Sequence, residues 1–101
     1  MSKRVFLHTR DLTFRSKLRA VVTTGGGAVT REAAEADLVV VELESERWQD
    51  QVQAGVARGK PVLVFGSHVD VEGLRGARAL GADAVPNSHI EARLSAQLRE
   101  P

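Results

Sequence analysis

Three short runs of β-branched and apolar residues dominate the chain: Val5-Phe6-Leu7, Leu38-Val39-Val40-Val41 and Val62-Leu63-Val64-Phe65. Each run is continuous, with no polar residue at every second place. A strand with one wet face alternates; a strand covered on both faces does not. The chain must therefore lay layers over both sides of a sheet. Ala28-Val29-Thr30 and Ala84-Val85 are weaker strand candidates.

The segments between the runs carry helical spacing. Phe14, Leu18, Val21 and Val22 share one face of a helix that begins near Asp11. Trp48, Val52 and Val56 share a face after Ser45, Leu74, Ala77 and Leu80 after Asp70, and Ile90, Leu94 and Leu98 near the end. Such stripes mark helices with one buried side. Ser45 and Asp70 are read as helix caps. Ser88-His89-Ile90-Glu91 is read as a capping box. Gly59, with Pro61 beyond it, ends one helix and Gly81 ends another. Gly25-Gly26-Gly27 precedes a strand, so it reads as a permissive turn and not as a phosphate-binding loop. Arg31 to Ala36 leaves room for a short second helix of about two turns.

Strand and helix thus alternate five times, and right-handed crossovers turn that order into an α/β fold with a five-stranded parallel sheet. At 101 residues the chain is read as a single domain, residues 1–101. A net charge of +1 and 4% aromatic residues argue against nucleic acid as a partner. No apolar run approaches the roughly 20 residues of a membrane span. The absence of cysteine removes disulfides and thiolate chemistry. These features point to a soluble, cytoplasmic chain.

An open parallel sheet gathers its chemistry at the carboxyl ends of its strands. His8, Thr9, Arg10 and Asp11 follow the first strand, and Glu42, Leu43 and Glu44 the third. Gly66, Ser67, His68 and Asp70 follow the fourth, and Pro86, Asn87, Ser88 and His89 the fifth. Arg10, Ser67, His68 and Asp70 are the candidate ligand contacts. His68 carries a second reading, a plain loop residue before a helix capped by Asp70. Ser67, His68 and Asp70 lack the strand-to-helix elbow of a hydrolase nucleophile. His8, Glu42, His68 and His89 lack the close spacing of metal ligands. No cofactor is expected. Trp48 is read as core or half-core, and the basic residues Arg10, Arg15, Lys17 and Arg19 as a solvated face or a surface for an acidic partner.

Asp37-Leu38-Val39-Val40-Val41-Glu42-Leu43 resembles the third strand of response-regulator receiver domains, with Glu42 in the place of the phosphoacceptor Asp. Lys60 to Ser67 resembles their fourth strand, Gly81 to Val85 the approach to the fifth, and Val5 to Leu18 the first strand and helix. Thr9 to Ser16, Phe65 to Asp70 and the Gly81–Ile90 region resemble small stand-alone receiver-like proteins of bacteria. The resemblance implies a flavodoxin-like three-layer sandwich with strand order 2-1-3-4-5. It also implies a site that departs from the family. Thr9 and Arg10 stand where an acidic pair would hold Mg²⁺, with Asp11 the only acid there. Gly66 stands in the place of the switch Thr, and Ser88 in that of the Lys after the fifth strand. The expectation is a pseudo-receiver in two-component-type signalling: no enzyme, an unidentified protein as partner, and a homodimer through the last two helices (Val69 to Leu98) as an option. Arg75, Arg78, Arg93, Glu72 and Glu91 would make the charged contacts of that dimer. Glu42 has two readings, an ion pair with Arg10 or a solvated carboxylate. A small-molecule or anion sensor at the strand ends, and a true phosphoacceptor, are the alternative functions.

Overall fold

A computed structural model describes residues 2–101. Its strands are β1 (Arg4–His8), β2 (Ala28–Thr30), β3 (Leu38–Glu42), β4 (Val62–Gly66) and β5 (Asp83–Pro86). They form one parallel sheet in the order β2-β1-β3-β4-β5. Every residue of β3 and β4 is buried, as their unbroken apolar runs require.

The helices are α1 (Leu12–Thr24), α2 (Trp48–Ala57), α3 (Val71–Ala79) and α4 (Ile90–Leu98). Alternate residues of each strand point to opposite faces, so the sheet builds two cores. Val5, Leu7, Leu38, Val40, Leu63 and Phe65 meet Leu18 and Val22 of α1 and Ile90 and Leu94 of α4. Val39, Val41, Val62 and Val64 meet Val52 of α2 and Leu74 and Ala77 of α3. Trp48 is half-buried against this second core. The flavodoxin-like reading is the observed architecture.

Three local expectations are corrected. The short second helix is a single 3-10 turn, Ala33–Glu35. Ser45 does not cap α2: its hydroxyl donates to the Glu42 carbonyl, and the cap position is Arg47 in the left-handed conformation (φ 57°, ψ 39°), with no side-chain cap. The Ser88–Glu91 capping box does not form. A 3-10 turn, Asn87–His89, runs straight into α4 and the cap position is His89, again without a side-chain cap. Asp70 does cap α3, with its Oδ1 accepting from the Gly73 amide at 3.0 Å. Gly59 (φ 73°) and Gly81 (φ 103°) supply the left-handed stops after α2 and α3.

Candidate functional site

Parallel strands that all enter from one side must also end on one side, and the polar residues that follow β1, β3, β4 and β5 share that edge. Glu42 closes β3 there. Leu38, Val40 and Glu42 point to the α1 side of the sheet, which carries the carboxylate under the loop between β1 and α1. Only 7% of Glu42 is exposed. Its Oε1 accepts the backbone amides of Arg10 at 2.7 Å and Asp11 at 3.1 Å. A buried carboxylate needs donors, and main chain supplies them. The Arg10 guanidinium does not: Arg10 is exposed, and the ion pairs among the described residues are Arg4–Glu35 and Arg93–Asp83. Both sequence readings of Glu42 are therefore replaced. It is not ion-paired with Arg10, and it is mostly buried and not freely solvated: its Oε1 is stitched to the backbone of the loop it faces.

Asp11, next to that contact, turns the other way. Its Oδ1 accepts from the amides of Thr13 and Phe14 at 2.8 and 3.1 Å and caps α1. Arg15 reaches back to the carbonyls of Leu7 and Thr9. The β1–α1 loop is thus held by one acid from β3 and one acid of its own.

Gly66 closes β4 on the opposite side of the sheet. A Cβ on residue 66 would stand 2.6 Å from Leu43 Cδ1 and 3.0 Å from Leu43 Cβ. Leu43 is buried, and its amide donates to the Phe65 carbonyl at 2.9 Å. The space that a side chain at 66 would need is filled by Leu43. Sequence reasoning placed Leu43 at this edge and gave it no part. The signal lay in the pairing of a glycine at the end of one strand with a leucine just past the end of its neighbour.

Ser67 is half-buried and accepts the Val69 amide in a local turn, while His68, Ser88 and His89 are exposed. Ser67 and Asp70 each serve their own turn, which leaves no linked Ser–His–Asp array. His8, Glu42, His68 and His89 do not gather as three or more ligands; no such group occurs among the described residues. His8 instead donates from Nε2 to the Glu46 carbonyl at 2.7 Å and lies against Phe6. This ties the end of β1 to the loop before α2. Beside it lies an open hollow of about 510 Å³ lined by His8, Thr9, Arg10, Glu44, Ser45 and Glu46. Arg10 thus belongs to a concave surface, whereas His68 and Asp70 do not line it.

Solved structures match this arrangement over nearly the whole chain. The BeF₃-activated DrrB receiver domain superposes with a TM-score of 0.78 at 15% identity, covering 98% of this chain and 96% of that one. An orphan response regulator of H. pylori, HP1043, gives 0.73 at 21%, covering 97% and 98%. NtrX from Brucella abortus gives 0.74 at 14%; the match covers 93% of this chain and a quarter (25%) of NtrX. The chain has the receiver fold. No protein-family model and no curated protein matches the sequence.

Of the positions singled out by sequence, Glu42 meets the backbone of Arg10 and Asp11, while Gly66 faces Leu43 on the other side of the sheet and Ser88 is exposed after β5. The charged residues expected on a dimer face of the last two helices are partly engaged within the chain. Arg93 pairs with Asp83, and Arg78 donates to the Ala84 carbonyl at 2.9 Å. Among the described residues no helix is long and apolar enough to cross a membrane.

Proposed function

We propose that this chain is a phosphorylation-independent pseudo-receiver that works as a protein–protein interaction module in bacterial signalling of the two-component type. The observation that carries the reading is the double backbone contact of Glu42. In a working receiver the acid at the end of the third strand must be free to attack phosphorus, and Mg²⁺ must sit beside it on further acids. Here one oxygen of that acid, Oε1, holds two amides and fixes its carboxylate against the loop, and the neighbouring acid, Asp11, holds two more. By the family resemblance, Arg10 stands at a position where an acid would help to hold the ion, and it offers a cation instead. Mg²⁺ takes hard oxygen donors in a near-octahedral shell, and this donor set does not suit it. Without the ion, the charge that builds on a transferring phosphoryl group is not neutralised. Glu42 is also one methylene longer than Asp, and a misplacement of about 1 Å can cost roughly 100-fold.

What survives is a rigid scaffold that displays helix faces, which is the physical requirement of a docking module. The test is to incubate the full chain with acetyl phosphate and Mg²⁺ and to weigh the intact protein. The expected spectrum shows the unmodified mass alone. A phosphoryl adduct on Glu42 or Asp11 overturns the reading and makes the chain a true phosphoacceptor.

The hollow beside Arg10 favours one second reading, an anion or small-molecule sensor at the strand ends. A thermal-shift screen with phosphate, nucleotides and metals separates the two. A ligand at about 100 times its Kd adds about 2.7 kcal/mol to the folded state, which the melting temperature reports. The interaction reading expects no such shift.

A further inference from the structure

We infer that the groove between α1 and α4 receives an acid-bearing helix of a partner protein. This rests on the interaction-module reading and names its partner by chemistry. Both helices run away from the strand-end edge, so they lie side by side in the same direction and are packed together. Between them is an open groove of about 660 Å³ lined by Lys17, Ala20, Val21, Thr24, Gly25, Glu91, Ser95 and Arg99. Ala20, Thr24, Gly25 and Ser95 are small, which lets the backbone of a third helix come close.

Charge selects the occupant. The thirteen residues of α1 contain Arg15, Lys17 and Arg19 and no acid. Arg15 is turned back onto the β1–α1 loop. That leaves Lys17 at the upper end of the groove, over the Phe14 ring at 5.8 Å, and Arg99 at the lower end. Glu91, in the first turn of α4, and Arg99, which caps its end, are eight positions apart, about 12 Å along the axis at 1.5 Å per residue. Neither Lys17 nor Arg99 has a carboxylate partner in this chain among the described residues. A helix laid along the groove meets both cations if it carries acids about two turns apart on one face, with small or apolar residues between them. Glu91, beside Lys17 on the opposite rim, asks for a base or a polar donor at that end. A second copy laid with its α1 along the groove would bring Lys17 and Arg19 toward the two cations already there.

The experiment presents the full chain to an array of helical peptides that share their apolar positions and differ only at the two charged ones: acid–acid, neutral or base–base. Retention of the acid–acid peptides is expected to exceed that of the base–base peptides by about tenfold at low salt. The preference is expected to fade as added salt shortens screening to about 8 Å and below. The Lys17→Glu/Arg99→Glu double variant changes exposed side chains only and is expected to remove or invert it. Arg75→Glu, on α3, leaves it intact. Retention blind to charge, a preference for bases, or an acid preference that survives the double variant overturns the proposal. So does equal loss with Arg75→Glu. A phosphoryl adduct in the acetyl phosphate experiment would instead strike the interaction reading itself, so the two failures are distinguishable.

Discussion

Leu43 occupies the volume that a side chain at position 66 would fill, with its Cδ1 2.6 Å from where that Cβ would stand. Gly66 ends β4 and Leu43 lies just past the end of the adjacent β3, and both are buried. Gly66→Ala therefore forces a methyl into a filled space, at a cost of about 1–3 kcal/mol. In a domain of this size each kcal/mol lowers the melting temperature by about 4–8 °C. Leu43→Ala opens a cavity and costs about 2–5 kcal/mol by itself. The double variant is expected to lose less than the sum, since the second change vacates the space that the first one needs. Urea unfolding of all four proteins measures the coupling.

Glu42→Ala removes the acceptor of two loop amides and leaves them with nothing to replace it. The expected loss is about 1–3 kcal/mol. Hydrogen exchange at Arg10 and Asp11 is expected to speed up more than exchange at the centre of β3. Glu42→Gln keeps one carbonyl oxygen at the same reach and is expected to retain most of the protection. Equal exchange in wild type and Glu42→Ala would show that the carboxylate does not hold the loop.

Asp70 and Gly73 form a pair at the start of α3. The Asp70 carboxylate lies so close that a Cβ on residue 73 would run into it. Helix propensity alone predicts that Gly73→Ala stabilises by about 1 kcal/mol. The contact is expected to cancel most of that gain, because the cap must move aside. Asp70→Ala is expected to cost about 1 kcal/mol, and adding Gly73→Ala to it is expected to recover stability. A gain confined to the Asp70→Ala background, read from thermal melts, is the signature.

Arg93 and Asp83 make the shorter of the two ion pairs among the described residues, yet both side chains are more than two-fifths exposed. Solvent screens such a pair. Arg93→Ala is expected to cost less than about 1 kcal/mol, with the difference vanishing in high salt. A larger loss in a denaturant titration would mean that Arg93 acts through packing of its stem.

The fold was legible because its signal is redundant. Three unbroken apolar runs announced a sheet covered on both sides, and the helical stripes beginning at Phe14, Trp48, Leu74 and Ile90 announced what covers it. Even the three residues of β2 were marked by Ala28-Val29-Thr30. Helix starts were less legible. Ser45 and Ser88 are good capping residues by type, but capping depends on where the backbone turns. Arg47 in a left-handed conformation shifts one start, and a 3-10 turn at Asn87–His89 takes over the other. The residues of the candidate site could be placed along one edge, because topology determines which residues follow strands. Their partners could not. That Glu42 binds amides and not a guanidinium depends on how closely a loop folds over a strand end, and no residue type encodes that distance. Leu43 went unnoticed for a related reason: its role exists only opposite a glycine that lies far from it in the chain.

The outermost strands carry a consequence of their own. β2 has three residues, and β5 has four and ends in a proline. A foreign strand laid along either border would find few free amides and carbonyls, so templated sheet growth gains little there. Under the interaction reading, recognition is thereby pushed off the rims and onto the flanks, where side chains, and not main chain, decide who is admitted.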